Sequence, residues 1–206
     1  MTPKQLAFQA VVENIIKKLA LRNMEGYFFE DCNSCVKEII QMMENGSSVG
    51  WGGSESIKEC GLMDAVRSGN FTLLDRLTAK SPAEERELYA KTVLSDYYLM
   101  STNAITLDGE LINIDGNGNR VACLIHGPKH VILVVGMNKL VPDIESGYAR
   151  VRNLAAPANA KRLNKHTPCF NMGRCADCLS EDCMCSHTVI TRRSGIPGRI
   201  KIFFVA

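Results

Sequence analysis

The chain has 206 residues, 46% of them hydrophobic and 22% charged, with a formal net charge of +2. That length buries a full core and suits one domain with an appendage, while the composition excludes a disordered chain. A charge so near balance, with no Lys/Arg run interleaved with aromatics, points away from nucleic acid, and no stretch approaches the roughly twenty apolar residues that span a bilayer.

The N-terminus opens directly into an amphipathic pattern, without the basic region and apolar core of a signal peptide, so a cytoplasmic protein is expected. Thr2-Pro3-Lys4-Gln5 is a helix start, with Thr2 as N-cap, Pro3 at the first helical position and Gln5 completing a capping box. Leu6, Ala10, Val11, Ile15 and Leu19 recur behind it at roughly helical spacing and predict its buried face. Tyr27-Phe28-Phe29 predicts a strand; Val36, Ile39, Ile40 and Met43 predict a second helix, stopped by Asn45-Gly46. Ser47 to Trp51 is a strand leading into Gly52-Gly53-Ser54-Glu55-Ser56, followed by two short helical pieces separated at Gly61 and a strand from Phe71 to Leu74. Ser81-Pro82-Ala83-Glu84 repeats the capping-box signature before a helix carrying Leu88, Tyr89, Thr92 and Val93, and Tyr97 to Met100 is the next strand.

From Thr106 the turn dipeptides Asp108-Gly109, Asp115-Gly116 and Asn117-Gly118 favour a hairpin around Leu111 to Ile114, whereas Arg120 to Ile125 reads equally as helix or strand. Val131 to Val135 is a buried strand, and Pro142-Asp143-Ile144 opens a helix that runs through Val151 and Leu154. Val189-Ile190-Thr191 and Ile200 to Val205 read as strands joined by the turn-rich Ser194 to Gly198. Repeated βα units with short connections predict an α/β fold, a three-layer α/β/α sandwich with a mainly parallel sheet. The expected division is an α/β domain over 1–165, a cysteine-rich segment over 166–188 and C-terminal strands over 189–206 that return to the main domain.

Several groups of residues carry candidate chemistry. Gly52-Gly53-Ser54-Glu55-Ser56 lies between a strand and a helix, where glycines admit close backbone approach and helix N-terminal amides attract an anion; a tight turn capped by Ser54 is the alternative. It has neither the G-x-G-x-x-G spacing nor the P-loop lysine, so neither NAD nor nucleotide hydrolysis follows. In the polar stretch from Thr102 to Asn119, Asn103, Asp108, Asn113 and Asp115 are candidate ligand contacts, Asn113 and Asp115 sharing one side of a strand, unless they only supply turn geometry. His126 and His130 are candidate general bases or structural histidines. Cys32-x2-Cys35 lacks the context of a redox motif, and Cys60 and Cys123 read as small core residues.

Five of the nine cysteines fall within seventeen residues, Cys169 to Cys185, as C-x5-C-x2-C-x4-C-x-C. Thiolates are soft ligands, and a C-x2-C pair reaches one centre without strain, so the segment reads as a metal or iron–sulfur site. A reduced cysteine-rich loop or a set of disulfides are the other readings, the last disfavoured by the odd cysteine count.

Gly52-Gly53-Ser54-Glu55-Ser56-Ile57-Lys58-Glu59-Cys60-Gly61-Leu62, Thr102-Asn103-Ala104-Ile105-Thr106-Leu107-Asp108-Gly109 with Asn113 and Gly116, and the Thr167-Pro168-Cys169 tail together resemble the lactate utilization (LUD) domain family. The Tyr148-Ala149-Arg150-Val151-Arg152-Asn153 helix stands between the last two strings, and the resemblance covers most of the chain. It implies the fold shared by sugar-phosphate isomerases and CoA transferases, and a place beside an iron–sulfur apparatus that oxidises L-lactate to pyruvate. It also implies ligands at Cys169, Cys175, Cys178 and Cys185, holding an iron–sulfur cluster of the 4Fe-4S type or zinc. Cys183 departs from the family pattern, standing where similar chains often carry a basic residue, and is a further candidate ligand. Isomerase relatives place a carboxylate where this chain has Asn103, and an amide cannot act as a general acid or base.

The expected function is therefore an accessory or electron-transfer component of L-lactate or related hydroxy-acid oxidation, with other iron–sulfur subunits as partners. Its small anionic ligand would meet Gly52, Gly53, Ser54, Ser56, Asn103, Asp108, Asn113 and Asp115. The alternatives are an isomerase or transferase acting on a phosphorylated or acyl molecule, and a structural zinc tail that fixes a subunit contact. An oligomer is compatible with each.

Overall fold

Thr2 caps the first helix as its sequence requires. In the computed structural model, which describes residues 1–206, helix α1 (Pro3–Leu21) begins with the Gln5 N–H donating to Thr2 Oγ1 at 3.2 Å and the Thr2 N–H donating to Gln5 Oε1 at 2.8 Å. Its buried face is Phe8, Val12, Ile15 and Leu19, so the expected face was right only at Ile15 and Leu19; Leu6 is 54% exposed and Val11 38%. The inward set follows alternating steps of four and three residues, which keep one stripe on a 3.6-residue helix, whereas the set starting at Leu6 drifts off it.

The remaining elements follow as β1 (Met24–Phe29), α2 (Cys32–Met42), β2 (Ser48–Trp51), α3 (Glu55–Glu59), α4 (Leu62–Ser68), β3 (Thr72–Leu74), α5 (Pro82–Val93) and β4 (Tyr97–Met100). Next come β5 (Ala104–Thr106), β6 (Leu111–Asp115), α6 (Asn119–Ile125), β7 (His130–Gly136), β8 (Leu140–Val141), α7 (Ile144–Arg150), α8 (Ala156–Arg162), α9 (Pro168–Met172), β9 (His187–Thr191) and β10 (Ile200–Val205). A π-helical stretch, Val151–Ala155, carries α7 into α8 without a break. The ambiguous segment Arg120 to Ile125 is helical, and Ser81 caps α5 by accepting from the Glu84 N–H at 3.2 Å. The reciprocal half of that second capping box is absent: Glu84 accepts instead from the Lys80 N–H at 2.7 Å.

Six strands make one parallel sheet in the order β1-β10-β7-β4-β2-β3. Successive side chains point to opposite faces. On one face Tyr98, Met100, Val131, Leu133, Ile202 and Phe204 pack with the buried stripe of α1. On the other, Leu99, Ile132, Val134, Phe203 and Val205 pack with Ile39 of α2, Ile57 of α3 and Leu62 and Val66 of α4. Both faces are covered, giving the three-layer α/β/α sandwich and explaining why β7 and β10 read as unbroken apolar runs.

A second, mixed sheet lies apart, in the order β8-β5-β6-β9. Its β5–β6 hairpin turns at Gly109, whose φ of +84° falls in the left-handed region that glycine tolerates best. Sequence periodicity did not separate these strands from the main sheet, because short apolar runs do not declare their partners. The cysteine segment is inserted between α8 and β9; β9 pairs antiparallel with β6, and β10 then enters the main sheet between β1 and β7. No helix is long and apolar enough to cross a membrane.

At the N-terminal ends of β2 and β4, Asp96 Oδ2 accepts from the Ser48 N–H at 2.8 Å and the Ser48 hydroxyl at 2.7 Å, and Oδ1 accepts from Lys129 at 2.7 Å. The Lys129 ammonium, with Ser48, holds the Asp96 carboxyl well below the usual carboxylate range. Because the folded pKa is depressed, its stabilisation is present above the unfolded value of about 4 and is lost as pH falls through the folded one. Asp96→Asn should lower stability by about 1–2 kcal/mol at neutral pH, discounted for the exposed lysine. Urea unfolding at both acidic and neutral pH checks this: the gap between variant and parent must narrow in acid.

Candidate functional site

The carboxyl ends of β2, β4 and β7 open into a cavity of about 840 Å³, the position at which open α/β sheets bind ligands. Gly52 to Ser56, Ser101 and Thr102, and Asn138 and Lys139 leave the three strands into its wall, while α8 and the tail residues Glu181 to Met184 close the other side. The lining is predominantly polar, which suits a charged ligand.

Arg120 forms the floor. Its guanidinium donates to Asn113 Oδ1 at 2.6 Å, Asn103 Oδ1 at 3.1 Å, Ser101 O at 3.1 Å and Ile114 O at 2.9 Å, and lies 3.5 Å from Asp115 Oδ2. Asn103, Asn113 and Asp115 therefore converge, but they do so on a buried cation of the protein itself. Asn103 and Asp115 line the cavity; Asn113 is fully buried behind it, with Nδ2 unpartnered. Asp108 lies outside the cavity. It sits on the exposed tip of the β5–β6 hairpin, ion-paired with Lys18 of α1, because the turn that carries it points away from the strand ends. His126 and His130 are also elsewhere: they flank the start of β7, at the opposite end of the sheet, where His130 stacks on Tyr97 at 5.1 Å.

Gly52 needs its missing side chain. A Cβ there would stand 3.0 Å from Tyr98 Oη and 3.1 Å from Arg120 Cδ, so the loop lies directly on the floor. The N–H groups of Gly53 and Ser54 have no acceptor within the protein, and Ser54 occupies the N-cap position of α3 without a side-chain cap bond. Arg76 and Arg162 flank the same loop, their nitrogens 3.4 and 3.5 Å from where a Gly53 Cβ would be. Free amides and guanidinium groups gathered at one place are the kind of donor set that anion-binding concavities use.

Lys139 faces them from beyond β7. Its Nζ donates to Ser56 Oγ and Ser101 Oγ, each at 2.6 Å, and burial, with the charges of Arg150 and Arg120, pushes its pKa down to about 8. Arg150 donates to Asn138 O at 2.7 Å and Asn103 O at 2.5 Å, tying α7 to the strand ends. Sequence reasoning missed all six lining cations, which are scattered from Arg76 to Lys165. The one usable signal was Lys139, a lysine placed just past the carboxyl end of a fully apolar strand.

The five tail cysteines, Cys169, Cys175, Cys178, Cys183 and Cys185, line a second cavity of about 330 Å³. Arg152 Nε donates to Cys175 Sγ at 3.2 Å, and its Nη2 donates to Asp177 Oδ1 at 2.6 Å. Thr167 Oγ1 lies 3.1 Å from Cys169 Sγ and Ser180 Oγ 3.4 Å from Cys178 Sγ. Hydrogen bonds from Ser180 hold the Cys178 thiol below its ordinary value, whereas burial pushes Cys185 up to about 12. The donor set has the chemistry of a thiolate metal site, although no three His, Cys, Asp or Glu side chains are placed to share one ion. All nine cysteines are free thiols. Ile114, Glu181, Cys183 and Met184 line both cavities, so a single thickness of chain separates them. Gly116 admits that wall, since a Cβ there would meet Met184 Cα at 3.3 Å.

Residues 12–205 match the family model described as the LUD domain. The chain belongs to the LUD domain family. This LUD domain is similar in structure to a duf162 family protein from Deinococcus radiodurans, with a TM-score of 0.57 and 14% sequence identity over 97% of this chain and 98% of that one. A match to eIF2B delta from Chaetomium thermophilum covers 66% of this chain and 53% of that one, at 12% identity and a TM-score of 0.37. No curated protein matches the sequence. Membership of the LUD family supports a role related to lactate utilization.

Proposed function

We propose that this LUD-domain protein is an accessory or electron-transfer component of L-lactate or related hydroxy-acid oxidation, acting with other iron–sulfur subunits. In this reading Cys169, Cys175, Cys178 and Cys185 hold an iron–sulfur cluster, with 4Fe-4S preferred to zinc, and Cys183 is a further ligand candidate. The polar cavity takes a small carboxylate between the Gly52–Ser54 loop and Lys139. The observation that carries the reading is the shared wall: five soft donors stand one segment away from a polar cavity lined by six cations, five carboxylates and the free Gly53 and Ser54 amides. Iron–sulfur groups supply electron transfer when bound, and four thiolates serve iron or zinc equally, so the preference for iron rests on the family setting.

The test is the metal and sulfide content of protein purified without oxygen, compared with the Cys175→Ser, Cys178→Ser double variant. Iron and sulfide in the parent and their loss in the variant are the expected result. Zinc in place of iron would support the structural zinc reading, and equal metal in both proteins would show that these thiols are not ligands. An isomerase or transferase acting on a phosphorylated or acyl molecule is the second reading, favoured by the Lys139 amine and opposed by Asn103 standing where a carboxylate would act.

A further inference from the structure

Of the two lysines that line the cavity, Lys139 alone has no anionic partner, and among the arginines Arg76 and Arg150 also make no ion pair. Arg120 has Asp115, Arg162 has Glu55 at 3.6 Å, Lys165 has Asp182 at 3.3 Å, and Arg150 is anchored on two backbone carbonyls. The Lys139 ammonium rests on two neutral hydroxyls, from α3 and from the end of β4, and makes no ion pair. Ser101 donates its own hydrogen to Val134 O at 2.5 Å, so it offers Lys139 only a lone pair; Ser56 has no other partner and keeps its proton available. The charges that reach Lys139 are Arg150 from α7 and Arg120 from α6, which repel its proton, and Glu59 from α3, which retains it. Burial and the two arginines prevail, so about a tenth of the amine is unprotonated at pH 7, far more than for an ordinary lysine. Desolvation beside other cations is how a lysine becomes a nucleophile toward carbonyl carbon.

We infer that Lys139 is a nucleophile that captures a 2-oxo carboxylate as an imine in this cavity. The inference rests on the reading that the cavity takes a small carboxylate, and it names the ligand class as the oxidised partner of a 2-hydroxy acid. The Nζ lone pair attacks the C2 carbonyl carbon, and the carbonyl π pair passes to oxygen, which is protonated to give a carbinolamine. In that step one nitrogen proton passes to the oxygen through Ser56; a proton from solvent then lets the C2 hydroxyl leave as water while the nitrogen lone pair closes the C=N bond, and the iminium returns a proton to solvent. No electrons are gained or lost. Arg150 Nη2, which has no hydrogen-bond partner in the protein, is a free donor for the carboxylate in the same cavity.

Pyruvate is the probe. The full chain is incubated with pyruvate, reduced with borohydride, and read by intact mass and peptide mapping. One reduced adduct, on Lys139, is expected, with a yield that rises from about pH 6 to about pH 8 as the ammonium loses its proton. Lys139→Gln and Lys139→Arg should abolish it, and Ser56→Ala should slow it while leaving the amine in place. Mapping in the parent protein keeps the result readable should a variant fold poorly. Absence of an adduct in the parent, or an adduct spread over other lysines and retained in Lys139→Arg, overturns the inference. Calorimetry with pyruvate and L-lactate separates the two levels: binding without an adduct sinks only the imine, and no binding of either sinks the carboxylate cavity as well.

Discussion

Arg120→Met is expected to lower stability by about 3–5 kcal/mol and to dismantle the cavity floor, because it strands Asp115 as a buried charge. Asp115 is 9% exposed, and besides Arg120 it has only the Gly118 N–H at 3.0 Å and the Val121 N–H at 3.3 Å as partners. The same substitution removes the donor to Asn113 Oδ1 and one of the two donors to Asn103 Oδ1, which keeps the Ile114 N–H at 2.9 Å. Urea unfolding measures the loss. The diagnostic comparison is the double variant Arg120→Met, Asp115→Asn, which should recover part of it if isolation of the carboxylate is the cause. A single variant within about 1 kcal/mol of the parent would show that the network does not hold the floor together.

Arg199→Met should produce a loss of similar size at a site remote from the cavity. Arg199 is 5% exposed, and its guanidinium donates to Cys123 O at 2.7 Å, Leu124 O at 2.7 Å and Pro128 O at 2.8 Å. These acceptors are the last carbonyls of α6 and the loop behind it, which have no helical partner and carry the negative end of the helix dipole. Methionine fills the volume but leaves three buried acceptors unpaired, for an expected loss of about 3–5 kcal/mol and a fall of roughly 10 °C in Tm. Lysine at this position restores the charge but not the three-way fork, and should recover only a fraction. Thermal unfolding of the three proteins decides it; a methionine variant melting within about 2 °C of the parent would mean that water replaces the fork.

The two arginines also show what kind of information a sequence hides. Nothing near Arg120 or Arg199 in the chain marks them as buried, since their partners are carbonyls and amides whose positions exist only after folding. Local signals behaved differently. The capping box at Thr2, the turn at Asp108-Gly109 and the break at Gly61 are written in adjacent residues, and each sits where those residues place it. The inward face of α1 was misread because Leu6 and Val11 are as apolar as Phe8 and Val12, and only packing against the sheet selects between the two stripes.

Sequence alone determined the α/β class, the alternation of helices and strands, the glycine-rich Gly52-Gly53-Ser54 turn after a strand and the run of five cysteines, because propensity and periodicity act over a few residues. Family resemblance added the expectation of a LUD domain. Only the tertiary structure decided that β10 enters the sheet between β1 and β7, that β5, β6, β8 and β9 form a separate sheet, and that Asn103, Asn113 and Asp115 serve Arg120 while Asp108 turns away to Lys18. It also brought Lys139, Ser56 and Ser101 together from three strand ends, and set the cysteine cavity against the larger polar one. The physical reason is range: strand order and side-chain convergence are set by burial and charge pairing between residues far apart in the chain, and those energies have no local signature.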